Sequence, residues 1–78
     1  MHLGWSRELL NPQWSALRNA RVWAGLTQRD LAAIVGTSRE TISSIERNQS
    51  IPSVTLALAM ARALDVTVEE LFSADELR

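Results

Sequence analysis

Between positions 38 and 47 the chain carries seven hydrogen-bonding side chains: Ser38, Arg39, Glu40, Thr41, Ser43, Ser44 and Arg47. Interleaved with them are Ile42 and Ile45, three residues apart, a spacing that places both on one side of a helix. A helix anchored by such an apolar stripe turns its polar face outward. That face fits a groove lined with donors and acceptors, and the DNA major groove, about 12 Å wide, admits a helix of this kind. Immediately upstream, Leu26, Leu31, Ala32 and Val35 recur at helical spacing until Gly36 breaks the pattern. The stretch from Gly25 to Pro52 therefore reads as two short helices joined by a tight turn.

Other chemistries find little support. The chain has no cysteine, so disulfides, thiolate metal sites and thiol redox reactions are excluded. His2, the only histidine, stands near the amino end without a second ligand or a carboxylate beside it and reads as inert. No glycine-rich phosphate loop and no nucleophile–base motif is present, so an enzyme is not expected, and no cofactor or metal is implied. At 78 residues the chain makes one small domain. The longest apolar run, around Leu56 to Ala61, ends at Arg62 and is too short to span a membrane. The amino end lacks the basic start and apolar core of a secretory signal, so a cytoplasmic protein is expected.

The net charge of −1 argues against a nucleic-acid partner until its distribution is considered. Residues 1–64 hold seven arginines against four acids, a net of +3, whereas residues 65–78 hold five acids against Arg78, a net of −4. An acidic carboxyl end directed away from DNA is compatible with binding and weakens non-specific attraction.

The elements that must position the polar face follow from capping and periodicity. Asn11-Pro12 signals a helix start, which predicts a first helix over 12–24 ending at Gly25. Trp14 and Leu17 would share its inward stripe. Thr27 with Asp30 forms a capping-box pattern opening a second helix that ends at Val35. Ser38 is the expected cap of the third helix, which runs to about Arg47 with Asn48 as a left-handed stop; Thr37 with Glu40 is an alternative start. Pro52-Ser53 opens a fourth helix over 54–64, almost wholly apolar and hence central. Thr67 with Glu70 opens a short fifth helix that lays Val68, Leu71 and Phe72 on the core, and the tail after Ser73 is expected to fray. The resulting division is an amino-terminal extension over 1–11, a domain over 12–73 and an acidic tail over 74–78.

These pieces together resemble the helix-turn-helix of the Cro and phage-repressor superfamily, the Xre family of regulators. The resemblance is carried by Leu26-Thr27-Gln28, Leu31-Ala32, Gly36, Ser38-Arg39-Glu40-Thr41-Ile42-Ser43, Ile45-Glu46 and Pro52-Ser53. Leu64-Asp65-Val66 and Val68-Glu69-Glu70-Leu71-Phe72 match the family's last two helices, so the likeness covers roughly residues 17–72. It implies an all-α, compact five-helix bundle of the lambda-repressor-like type. It also implies a homodimer on double-stranded DNA, with half-site centres about one turn, ~34 Å, apart. The simplest outcome is repression by occluding a promoter.

Carried over residue by residue, the resemblance assigns Arg39, Glu40, Ser43 and Ser44 to base edges. Arg39 suits guanine O6 and N7, worth ~1–3 kcal/mol of discrimination, and Glu40, which can only accept, either takes a cytosine amino group or serves only to orient Arg39. Gln28, at the start of the second helix, matches the family's phosphate-binding glutamine, and Ser38, Thr41, Arg47 and Asn48 are further phosphate candidates. Arg18 and Arg29 add diffuse attraction or serve only as surface charges. Arg21 and Glu46 match a structural ion pair between the first and third helices.

Two features suit a different class, a protein-interaction or antitoxin-like module on the same fold whose main partner is another protein. One is the near-neutral charge with Glu40 on the reading helix. The other is the amino-terminal piece, in which Trp5, Leu9 and Leu10 form a short amphipathic segment suited to covering Trp23, within the chain or across a dimer. That segment and the fifth helix are the candidate dimer surfaces.

Overall fold

The computed structural model describes residues 10–73, 76 and 77. Five helices follow one another: α1 Ala16–Trp23, α2 Gln28–Val35, α3 Arg39–Glu46, α4 Val54–Leu64 and α5 Val68–Leu71. No strand occurs among the described residues, and the fold is an all-α bundle. Its core is built from Leu17, Ala20, Leu31, Ala32, Ile42, Ile45, Ala57, Met60, Ala61, Leu64, Leu71 and Phe72, so every helix contributes at least one buried apolar side chain. α2 lies against both α3 and α4, while α5 closes the bundle against α1 and α4.

Local chemistry sets most of the boundaries. Thr27 Oγ1 accepts from the Asp30 N–H and the Asp30 carboxylate accepts from the Thr27 N–H, the reciprocal capping box that opens α2. Thr67 and Glu70 repeat it at α5. Ser38 and Ser53 cap α3 and α4 through their hydroxyls. Gly36 ends α2 at φ +77°, where a side chain would be strained, and the Thr37 N–H then bonds back to the Ala32 carbonyl. After α3 the left-handed position is filled by Asn48, and after α4 by Asp65, both residue types that tolerate it.

Three expectations are corrected. The first helix starts at Ala16 with Ser15 as its cap, four residues later than Asn11-Pro12 predicts. Asn11 instead begins a turn fastened by Asn19. Asn19 Oδ1 accepts from the Asn11 N–H at 2.7 Å, and its Nδ2 donates to the carbonyls of Asn11, Trp14 and Ser15. Trp14 therefore precedes the helix and leaves the inward stripe. It is half-buried, with the Arg18 guanidinium stacked 4.2 Å above its ring.

At Glu76 and Leu77, the described residues of the tail, contacts take the place of the expected fraying. The Ser73 N–H donates to Glu76 Oε1, the Glu76 N–H donates to the Ser73 carbonyl, and Leu77 packs against the core. Finally, only one side of the apolar α4 is buried: Ala57, Met60, Ala61 and Leu64 face the core, while Val54 and Leu58 remain outside.

Two measurements test this account. Replacing Asn19 with alanine removes its bonds to the 11–15 segment and takes their partner from the half-buried Asn11 N–H and Trp14 carbonyl, while the Asn11 and Ser15 carbonyls keep the N–H groups of Trp14 and Asn19. Urea unfolding of Asn19→Ala should show a loss of ~2–3 kcal/mol; a shift within error would mean that water substitutes for the amide. Asp30 is exposed, and the Thr27 N–H and hydroxyl hold its carboxyl below the ordinary value of 3.8. A depressed folded-state pKa gives stability that is present above the ordinary value and lost as pH falls through the folded one. Stability should therefore fall as the pH drops below about 4, more steeply in the wild type than in Asp30→Asn; parallel curves would contradict a stabilising cap.

Candidate nucleic-acid interface

α3 is eight residues long, ~12 Å at 1.5 Å per residue. Ile42, Ile45 and Glu46 point inward and are buried. Arg39, Glu40, Ser43 and Arg47 fall within about 100° of the opposite side, with Ser44 at its margin. Arg39, Glu40 and Arg47 are exposed, and Ser43 and Ser44 are half-buried. Thr41 sits off this face, and its hydroxyl is 2.9 Å from that of Ser38. The Ser38 oxygen also accepts the Thr41 N–H, so these two side chains are engaged with each other at the start of the helix.

The buried end of α3 is held by charge. The Glu46 carboxylate accepts from Arg21 Nε at 2.5 Å and from Arg21 Nη2 at 3.1 Å, a two-pronged contact between α3 and α1. Arg21 Nη1 reaches on to the Leu26 carbonyl at 2.8 Å, which fixes the chain entering α2. Gln28 supplies a further donor: its Nε2 lies 3.0 Å from Glu46 Oε1. Arg21 and Glu46 are 8% and 6% exposed, so both charges are nearly out of water and each needs the other. The family resemblance implies the pairing of Arg21 with Glu46, but it assigns Gln28 to phosphate and not to Glu46. A glutamine at the first position of a helix looks the same whether it faces an anion or a neighbouring carboxylate.

Gln28 therefore directs its amide inward, to Glu46. What faces outward at the same helix start is the backbone. Thr27 Oγ1 takes the Asp30 N–H, and the N–H groups of the first two residues of α2 are the donors a helix start offers to an anion. Arg29 and Arg39 line one open groove beside them, together with Thr27 and Gly25. Arg29 and Arg39 thus border the same groove near the amino end of α3. At the other end, Arg47 Nε donates to the Ser43 carbonyl at 3.3 Å. Asn48 is exposed at the helix stop and borders a cleft formed by Ile45, Pro52 and Phe72. The two ends of the polar face are separated by about the width of a major groove. Trp5 and Leu9 lie outside the described residues. Leu10 lines a shallow groove with Trp14 and Val22.

A polar helix presented on a second helix's amino end, across a glycine-containing turn, defines a helix-turn-helix protein. The comparisons agree. A family model described as "Helix-turn-helix" matches residues 17–71, and the chain belongs to this Xre/Cro-type family. A relative from Archaeoglobus fulgidus is 40% identical over 60 residues, covering 77% of this chain and 86% of its own. One from Methanothermobacter thermautotrophicus is 43% identical over 61 residues, covering 77% and 88%. YgzD of Bacillus subtilis is 32% identical over 60 residues, covering 77% and 91%. Each bears the name uncharacterized HTH-type transcriptional regulator. No solved structure matches the chain at comparable significance. The family is one of regulators, and the chain is not an enzyme. No helix among the described residues is long and apolar enough to cross a membrane.

The buried network gives a graded expectation. Glu46→Ala strands the Arg21 guanidinium and should cost ~3–5 kcal/mol in chemical denaturation. Gln28→Ala removes one bond to a charge and should cost ~1.5–3 kcal/mol. In a double-mutant cycle the two should couple, because the Gln28 bond is already gone once Glu46 is removed. Additive losses would show that the Gln28–Glu46 contact carries no energy.

Proposed function

We propose that this protein is a sequence-specific double-stranded DNA-binding transcriptional regulator. In this reading α3 enters the major groove, α2 crosses the backbone, and two copies act together as a homodimer on a two-fold operator. Arg39 and Glu40 are the principal base-reading side chains, with Ser43 and Ser44 a turn later. The α2 amino end with Arg29, together with Ser38, Thr41, Arg47 and Asn48, meets phosphates. Gln28 has a smaller direct part than its position suggests, because its amide is engaged by Glu46. Repression by occupying a promoter follows by family analogy.

The observation that carries this reading is the geometry of α3. One side is locked by two buried isoleucines and a buried ion pair, and the other shows only polar side chains beside two arginines and a helix amino end. A protein-interaction or antitoxin-like role is the second reading, favoured by Val22 and Trp23, which remain 44% and 45% exposed at the end of α1.

Selection of bound sequences from a random duplex pool at moderate salt separates the two. We expect a palindromic motif whose guanine preference disappears in Arg39→Ala, at a cost of ~1–3 kcal/mol per half-site. Affinity for that motif should fall steeply as salt rises. No enrichment by the folded protein would overturn the DNA reading in favour of a protein partner.

A further inference from the structure

Large apolar side chains stay outside singly at Ile34 on α2 and together in two other places. Val22, in the first, lines the same groove as Arg29 and Arg39, so that patch borders the proposed DNA-facing surface. The second runs along α4, where Val54 is 47% and Leu58 44% exposed, led by Ile51 at 49% in the preceding linker. Positions 54, 55, 58 and 62 are all exposed and lie within about 100° of the helix circumference, opposite the core stripe. The surface is thus a continuous strip of Ile51, Val54, Thr55 and Leu58, ended by Arg62.

We propose that this strip is the two-fold contact between two copies of the chain, joining their α3 helices on successive turns of DNA; it rests on the DNA-reading function above. The first argument is size. The described chain measures 28 × 26 × 23 Å between Cα atoms, and side chains widen it. Half-sites one turn apart are separated by ~34 Å. Copies seated on both are therefore close to touching, and the touching face must leave α3 free. The strip meets that condition, beginning one short linker after the end of α3.

The second argument is charge. From Ile51 to Leu58 the strip has no charged side chain. Antiparallel packing centred between Val54 and Leu58 sends the two Arg62 side chains to opposite ends. They are then ~18 Å apart along the axis, beyond the ~8 Å over which exposed charges interact. The third argument is elimination of α5: Leu71 and Phe72 are buried in their own core and unavailable to a partner. Two such strips bury on the order of 400 Å² of apolar surface, well below the ~1,200 Å² of a free-standing complex. The contact is therefore weak in solution and strengthened when DNA holds the copies side by side.

The absence of cysteine makes a direct test clean. Leu58→Cys and Val54→Cys are oxidised with glutathione disulfide, which is reduced to two glutathione thiols, at high protein concentration without DNA, against Glu69→Cys, another exposed helical position. Disulfide-linked dimers should form about tenfold faster at the strip than at the control, because proximity raises the local thiol concentration. Equal rates overturn the proposal. So does a Leu58→Cys thiol that resists maleimide while staying monomeric, which would mean the chain's own amino-terminal segment covers it. A thiol that labels freely without dimerising also overturns it and leaves the strip to a different protein.

On duplexes selected as above, Leu58→Glu should bind an isolated half-site like the wild type and lose about tenfold on the full site. Equal effects on both duplexes count against the strip. Failure of the wild type to select any duplex would strike the DNA reading alone, since the trapping experiment contains no DNA.

Discussion

A carboxylate buried at the end of α3 is the constraint on which the remainder of this small structure depends. Glu46 lies where α1, α2 and α3 come together, and each of the other two helices answers it: Arg21 from α1 and Gln28 from α2. Arg21 also holds the Leu26 carbonyl, so one guanidinium ties the turn between α1 and α2 to the far end of α3. A purely apolar junction of the same volume could be equally stable. It would not be equally directional, because a planar guanidinium meets a carboxylate in very few orientations. The network therefore matters most as a fixer of the angle at which α3 leaves the bundle.

That role explains why so little sequence suffices. α3 has only eight residues, and a helix that short is not stable alone. Ile42 and Ile45 supply its apolar grip, Ser38 its cap and Glu46 its orientation, leaving Arg39, Glu40, Ser43 and Ser44 without a structural duty in the bundle. Arg39 and Glu40 can then be exposed in the first turn without weakening the fold. The acid there is favourable to the helix dipole.

Most of this was legible in the sequence because short polar side chains mark helix starts by a local mechanism. Thr27 with Asp30, Thr67 with Glu70, Ser38 and Ser53 each cap where their spacing indicates. The misreadings occur where two local signals compete or where the answer is tertiary. Asn11-Pro12 and Ser15 are both acceptable starts for α1, and the choice falls to Ser15 because Asn19, eight residues beyond Asn11, binds the Asn11 backbone into a turn. Trp14 moved out of the core with that shift. The two donors of Gln28 carry no mark of which acceptor they will meet. The apolar character of α4 gave its centrality but not its unburied edge, since the core of a five-helix bundle this small covers only one side of an eleven-residue helix.

The charge distribution becomes intelligible once the acids are placed. Asp65 occupies the left-handed stop of α4, Glu70 closes the capping box of α5, and Glu69 stands in that helix's first turn. These carboxylates are therefore accounted for by turn and cap chemistry. They sit around α5, which packs on α1 and α4, whereas Arg29 and Arg39 share the groove at the start of α2. Exposed charges act over ~8 Å at physiological salt, a fraction of the molecule's 28 Å length. The net charge of −1 consequently says little about what the α2–α3 surface experiences. A phosphate approaching there meets two arginines and a helix amino end, opposed locally by Asp30 and Glu40. In the DNA complex proposed above, charge alone would therefore contribute modestly, and the proposed base contacts and second copy would have to supply the rest of the affinity.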